Sequence, residues 1–174
     1  MKVAFDTDQY GKELLLLDDC KIIWRNFGGL GNECNHAGDR NFTLIIPDED
    51  MMYHGKMTPI YDVLKEHGWP VKQKPSRNPD EGPFMSMKVR LKYGKRKPIV
   101  RFLSGRKKLM LDEEEIGRLD EIDIRRIDMT PSMYYWENLN RSGWAASARS
   151  LYVEQEIDRF ASRWEEDEED PLDC

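Results

Sequence analysis

Residues 84–93, FMSMKVRLKY, alternate apolar and polar side chains almost without interruption. In an extended chain, neighbouring side chains point to opposite sides, so a period of two sorts them into faces. Met85, Met87, Val89, Leu91 and Tyr93 share one face, and Ser86, Lys88, Arg90 and Lys92 share the other. A helix would scatter both sets around its axis. The segment is therefore a strand with one side on a core and a row of cations on the other, and the fold must supply a sheet to hold it.

The cations do not stop there. Residues 87–108 hold ten Lys or Arg and no carboxylate. The turn GKRKP (94–98) leads to a second apolar strand, IVRFLS (99–104), followed by the basic run SGRKK (104–108). This predicts a hairpin with positive charge on its face and at both ends. Yet the whole chain is acidic, with 27 basic and 33 acidic side chains. Seven of those acids lie in the last eleven residues, WEEDEEDPLDC, so residues 1–163 carry 27 basic and 26 acidic groups. A block of like charge cannot bury itself, and we expect it to be disordered. The expected organisation is one domain over 1–163 and an acidic tail over 164–174. That tail either solubilises the chain or acts as an interaction segment that also folds back on the basic stripe.

The rest of the chain reads as mainly β. ELLLLDDCKIIWRNF (13–27) predicts two strands broken at Asp18–Asp19, and GGLGNECNHAGD (28–39) a loop. RNFTLIIP (40–47) predicts a third strand. TPIYDVLKEHG (58–68) has helix signals: Thr58 as cap, Pro59 at the first position, Ile60, Val63 and Leu64 on one face, and Gly68 as terminator. The proline-rich 69–83 predicts a loop or extended edge. Asp112 opens a short helix with Glu115 in the capping-box position. Residues 121–129 predict a strand with a bulge between Ile124 and Ile127, where apolar parity switches. Residues 144–153 predict a further strand and 154–164 a weak helix. This order fits an OB-fold-like five-stranded barrel with one helix after the third strand and extra C-terminal strands. An unrelated α+β sandwich has the same order.

Several function classes find no support. No stretch of ~18 apolar residues is present to span a membrane, and the N-terminus lacks the pattern of a secretory signal. The expected location is the cytoplasm. Cys20, Cys34 and Cys174 are an odd set without disulfide spacing. Cys34 and His36 find no paired ligands in Cys20, His54 or His67, so no metal is expected. Phosphate-loop, dinucleotide-loop and nucleophile-elbow signatures are missing, and no cofactor is expected. Asp6, Asp8, Asp123 and Asp128 leave a metal-dependent nuclease open as an alternative, and a viral protein-interaction or inhibitor module is another.

Binding of unpaired nucleic acid has the strongest basis. Cations two residues apart on a strand repeat every ~6.6 Å, near the phosphate spacing of an extended single strand. Phe84, Tyr93 and Phe102 lie among them, with Trp69, Trp136 and Trp144 elsewhere. Aromatic rings stack on any base, and cations tracking phosphate give salt-dependent affinity.

Three blocks carry a resemblance: GDRNFTLIIP (38–47), LKEHGWPVKQKP (64–75) and LDEIDIRRIDMTPSMYYWENLNRSGWAASARSLYV (119–153). In their order they are similar to the tailed-phage single-stranded DNA-binding proteins of the OB-fold kind. Arg40, Trp69, Lys72, Trp136, Arg141 and Gly143 fall on that family's marked positions. The turn N-R-S-G has Asn140 where the family has Gly. ARSLYV replaces a pattern closer to AYL, and the chain finishes PLDC rather than on an aromatic or apolar residue. The resemblance implies a sequence-tolerant single-strand binder acting in phage replication, recombination or repair, with no enzymatic activity of its own. RNA remains open as a ligand, as does self-association. Its acidic tail would recruit replication or recombination proteins and compete with DNA for the groove. The expected interface is Arg25, Arg40, Trp69, Lys72, Lys74, Lys88, Arg90, Lys92, Arg101, Phe102, Arg141 and Trp144, with Trp69 and Phe102 as stacking candidates.

Overall fold

The two apolar runs flanking Asp18–Asp19 form one bent strand. In a computed structural model, which describes residues 1–158 and 160, β2 (Glu13–Asp18) runs into β3 (Lys21–Asn26). Asp19 takes a positive φ of 53° at the bend, a conformation Asp tolerates better than most residues. The bend is tied to a distant strand, β11 (Ile124–Asn138): the Asp19 N–H donates to Asp128 Oδ1 at 2.8 Å, and the Cys20 N–H to the Ile127 carbonyl at 2.8 Å.

This bend lets one strand serve two sides of a barrel. β3 pairs antiparallel with β4 (Arg40–Ile46), and β4 pairs with β8 (Phe84–Leu91). β8 lies parallel to β12 (Arg141–Gln155), β12 pairs antiparallel with β11, and β11 returns to β2 at Met129↔Leu17. The ring is that of an OB-fold. Two of its joints are narrow, since β8 meets β12 only at Ala146↔Val89 and Ser147↔Arg90. Outside it, β1 (Lys2–Thr7) pairs with β2 in register from Lys2↔Asp18 to Thr7↔Glu13. β5 (Asp50–Tyr53) and β6 (Lys56–Pro59) form a separate ribbon. β7 (Lys72–Lys74) adds to the start of β8.

The inner face is filled as the alternation requires. Leu15 and Leu17 on β2, Phe42 and Leu44 on β4, and Met87 and Val89 on β8 are buried in one cluster. Helix α1 (Ile60–Glu66) contributes Ile60 and Leu64. Among the described residues no helix is long and apolar enough to cross a membrane.

Several expectations change. Residues 84–104 are not a hairpin. β8 and β9 (Ile99–Ser104) run in the same direction, each parallel to β12, with β9 in register from Ser150↔Ile99 to Glu154↔Leu103. The 15 residues of β12 accommodate two successive partners, and Pro98 has no N–H with which to continue a ladder. The hairpin partner of β9 is β10 (Lys107–Leu111), joined through Gly105 at φ 61°. α1 follows the second barrel strand, because two sequence segments make the first. A 3₁₀ turn, Ile116–Asp120, occupies the interval between the third and fourth. The expected capping box is not formed: Glu115 is itself the N-cap, without a side-chain cap bond, and Asp112 closes the turn before it, its Oδ1 accepting the N–H groups of Glu114 and Glu115 at 3.0 and 2.9 Å. Thr58 belongs to β6 and donates to the Lys56 carbonyl, leaving Pro59 at the helix N-cap. The bulge appears as a register shift between Ile124 and Arg126. Of the segment read as weakly helical, Glu154 and Gln155 end β12; its residues beyond 160, and the acidic segment 164–174, lie outside the described residues.

Candidate nucleic-acid interface

The cationic row of β8 faces out from the second and third barrel strands. Opposite it on β4, Thr43 pairs with Lys88 and Asn41 with Arg90. Both β4 side chains are buried and short, so they leave a trough rather than a ridge. Arg40, Lys88, Arg90 and Lys92 line one pocket of ≈ 330 Å³, together with Gly38, Asp39 and Tyr93. Partial burial, with Arg90 and Lys74 nearby, holds the Lys88 ammonium below the ordinary lysine range. An anion placed beside the ammonium would offset both the lost hydration and the neighbouring charges.

Two loops frame the trough. The Gly/Asn-rich loop 27–39 is pinned from below: Asn26 Nδ2 donates to the Leu30 and Asp39 carbonyls at 3.1 and 2.9 Å, and Asp120 accepts the N–H groups of Phe27 and Gly28, each at 2.8 Å. Arg40 donates to the Phe27 carbonyl at 2.5 Å, so its guanidinium both holds the loop and faces the pocket. On the other side, β11 and β12 extend as an arm. Tyr134 pairs with Ala145, and Trp136 with Gly143. The Trp136 indole lies across Gly143, its Nε1 3.4 Å from where a Cβ would be. Lys92 Nζ stands 3.6 Å from the Tyr134 ring centroid.

The far end of the trough is aromatic. Phe84 shares the outer face of β8 with Ser86, Lys88 and Arg90 and meets Trp24 edge-on at 5.9 Å. Trp24 has φ 52° at the irregularity between β3 and β4, which turns its ring out, 45% exposed. Lys74 Nζ and Arg77 Cζ sit 5.2 and 5.7 Å from its centroid. The pattern of rings and cations from Trp24 to Tyr134 suits bases and phosphates of a single strand.

Of the sequence-predicted residues, the structure gathers Arg40, Lys88, Arg90 and Lys92 in the pocket, with Lys72 and Lys74 beside it on β7. The others lie apart. Trp69 is 5% exposed and Phe102 4%, both in the core, so neither presents a ring for stacking. The indole N–H of Trp69 has no protein partner. Arg25 is a structural clamp, its Nη1 donating to the Leu119 and Ile122 carbonyls at 2.8 and 2.7 Å. Arg101 stands 5.6 Å over Tyr152 in a different depression. Arg141 is at the arm's tip, and Trp144 packs on Tyr135 at 5.4 Å, on the face of the arm opposite Tyr134. Trp24 and Tyr134, which the structure places along the trough, are not among the residues expected from sequence. Nothing local betrays the backbone turn at Trp24, whereas the aromatic run MYYW (133–136) was a usable signal.

Asp8 and Asp128 are spoken for: Asp8 accepts the N–H groups of Tyr10 and Lys12, and Asp128 pairs with Arg126 at 3.0 Å. Among the described residues no three His, Cys, Asp or Glu side chains gather as a metal site.

Comparison with known proteins bears on the family and the fold. The family described as "Putative phage ssDNA-binding domain" matches residues 6–170. The single-stranded DNA-binding protein of bacteriophage Enc34 is similar in structure, at 15% identity and a TM-score of 0.51, over 92% of this chain and 93% of that one. Its C-terminal truncation matches at 16% identity and 0.52, over 91% and 97%. Its complex with ssDNA matches at 16% and 0.51, over 84% and 89%. No curated protein matches the chain.

Proposed function

As the chain belongs to the phage ssDNA-binding domain family, we propose that it binds unpaired DNA with little regard for sequence, in phage replication, recombination or repair in the host cytoplasm. The observation that carries this is the convergence of Arg40, Lys88, Arg90 and Lys92 on one trough between a pinned loop and an aromatic arm. Those cations neutralise phosphates. Trp24 and Tyr134 are the stacking rings, with Trp136 beyond them. Backbone charge and stacking supply the affinity. The role is binding rather than catalysis. Residues 164–174 recruit replication or recombination proteins through their charge.

The test is a salt titration of binding to oligo-dT and to duplex of equal length. The single strand should win clearly. With about four phosphates neutralised, log K against log salt should fall with a slope near −3. Equal retention of both ligands, or a flat slope, would reject the reading.

A further inference from the structure

The outward side of the sheet continues past the trough. Residues opposite one another in register point to the same side of a sheet. Along β12, Ser147 lies opposite Arg90 of β8, and further on Ser150 lies opposite Ile99 and Tyr152 opposite Arg101 of β9. On its other flank β12 faces β11, with Ala145 beside Tyr134, Ser147 beside Ser132, and Ser150 beside Thr130. The inward residues Ala146, Ala148, Leu151 and Val153 are all buried. Between Ala148 and Leu151 the register shift adds one residue, so the outward side passes from Ser147 to Ser150 without inverting. The cationic face of β8 and the outer face of β9 are therefore one surface.

The stretch between them is small and hydroxylated. Ser132 Oγ and Ser147 Oγ lie 3.2 Å apart, with Thr130 and Ser150 next in line. At the register shift Arg149 adds an exposed cation, its Nη1 3.9 Å from Asp8 Oδ2.

Beyond this floor is a depression of ≈ 730 Å³ between β9, β10 and β12. Arg101 Cζ stands 5.6 Å from the centroid of the Tyr152 ring, which is 44% exposed. The pair repeats the chemistry of Lys92 over Tyr134: a cation held beside a flat ring on the β11–β12 pair. Met110, opposite Arg101 on β10, is 65% exposed and adds an apolar surface, and Lys108 adds a second cation. The acids of the depression are matched, Asp128 with Arg126 at 3.0 Å and Glu154 with Arg125 at 3.5 Å. Among the described residues, none of the ion pairs involves Arg101 or Lys108. The charge left over is positive. From Ser147 to Tyr152 is ~16 Å at ~3.3 Å per residue, about two or three of the ~6.6 Å steps of an extended single strand.

We propose that the depression is a second subsite for the same strand of unpaired DNA. DNA leaving the trough past Lys92 and Tyr134 crosses the hydroxyl floor. Its next bases lie on Tyr152 and Met110, and its phosphates meet Arg101 and Lys108. The inference rests on the reading of the trough as a single-strand groove. The β9–β10 hairpin, inserted between the third and fourth barrel strands, then has a function of its own: it lengthens the footprint of one chain.

The test compares oligo-dT of about 5 and about 10 nucleotides by fluorescence anisotropy, lengths within the range that one fold of this kind covers. Arg101→Ala with Tyr152→Ala should weaken the longer ligand about tenfold or more and leave the shorter within about twofold. Lys108→Glu should act in the same direction, and Tyr152→Trp should keep the ratio of the unaltered protein. All three side chains are exposed, so their replacement leaves the core intact. Lys88→Ala should weaken both lengths, which reads the trough itself. Unchanged binding of the longer ligand by the Arg101 and Tyr152 variant would overturn the subsite and leave the depression to a protein partner. Equal weakening at both lengths would overturn it too, since the two residues would then act on the trough. Failure of the unaltered protein to bind either length would overturn the proposed function and the subsite together.

Discussion

The Lys92 ammonium stands 3.6 Å from the centre of the Tyr134 ring, joining the chain just past β8 to the arm made by β11 and β12. One face of the ring is thereby held by a cation, and the ring is fixed at the end of the row begun by Lys88 and Arg90. A half-exposed contact of this kind contributes ~0.5–1 kcal/mol. Its greater effect is to orient a stacking surface before DNA arrives. Tyr134→Ala should weaken oligo-dT binding about tenfold or more, the cost of one lost stack. Lys92→Ala should also reduce the salt slope by ~0.7. Fluorescence anisotropy across a salt series separates the two.

Lys88 sets function against stability. Its folded-state pKa is depressed, by partial burial first and then by Arg90 and Lys74. Below the unfolded-state pKa, holding it charged costs stability, and that cost fades as pH rises through the folded value. Lys88→Thr should therefore raise Tm slightly at neutral pH, the gain being small because the side chain is exposed, while weakening DNA binding about tenfold, the loss of one charge-assisted contact.

The same residue makes binding pH-dependent. Phosphate raises the pKa of Lys88, so the complex holds more protons than the free protein over the interval between the two values. Affinity is full below the free-state pKa and declines as pH climbs through that interval, starting below the ordinary lysine range. Lys88→Arg should flatten this decline. Titrations of oligo-dT at constant salt over pH 7 to 10 read it.

The tryptophans should divide cleanly. Trp24→Ala should lower DNA affinity with little effect on stability, since the ring is 45% exposed. Trp69→Ala should destabilise by ~3–5 kcal/mol, as large core truncations do. Trp69→Phe should cost under ~1.5 kcal/mol, because the indole N–H it removes has no protein partner. Neither Trp69 variant should change the affinity of the folded protein. Chemical denaturation alongside anisotropy decides.

Arg25 behaves as a brace. Its Nη1 donates to the Leu119 and Ile122 carbonyls, which fastens β3 to the 3₁₀ turn and its exit. Arg25→Ala should lower stability by ~2–3 kcal/mol without altering the salt slope of DNA binding. A change of slope would return Arg25 to the interface.

What could be read from the sequence was whatever depends on near neighbours. The outward Lys88 and Arg90, the loop around Gly29, the stop at Gly68 and the irregularity near Ile124 all follow from local pattern. The pairing of β8 and β9 with β12 was hidden because the partner lies tens of residues away and runs parallel. Trp69 follows a helix whose apolar face is buried, and its ring continues that burial. Trp24 is the reverse case: its neighbours Ile22 and Ile23 suggest a core, but a positive φ turns it outward. The cations sorted in the same way. Lys88, Arg90 and Arg101 all face out as the alternation of their strands requires, but which surface Arg25 and Arg101 belong to was decided by tertiary neighbours.

The bend at Asp19 has a bearing on synthesis. Its amide is satisfied by Asp128, 109 positions later, so the first strand waits for one of the last before the ring shuts. On the ribosome, β2 is made early and keeps an open edge until residues 127–128 emerge. That delay favours slow, late closure and leaves the nascent chain prone to pairing with strangers. An unfinished product ending before Met129 has no means of closing that seam.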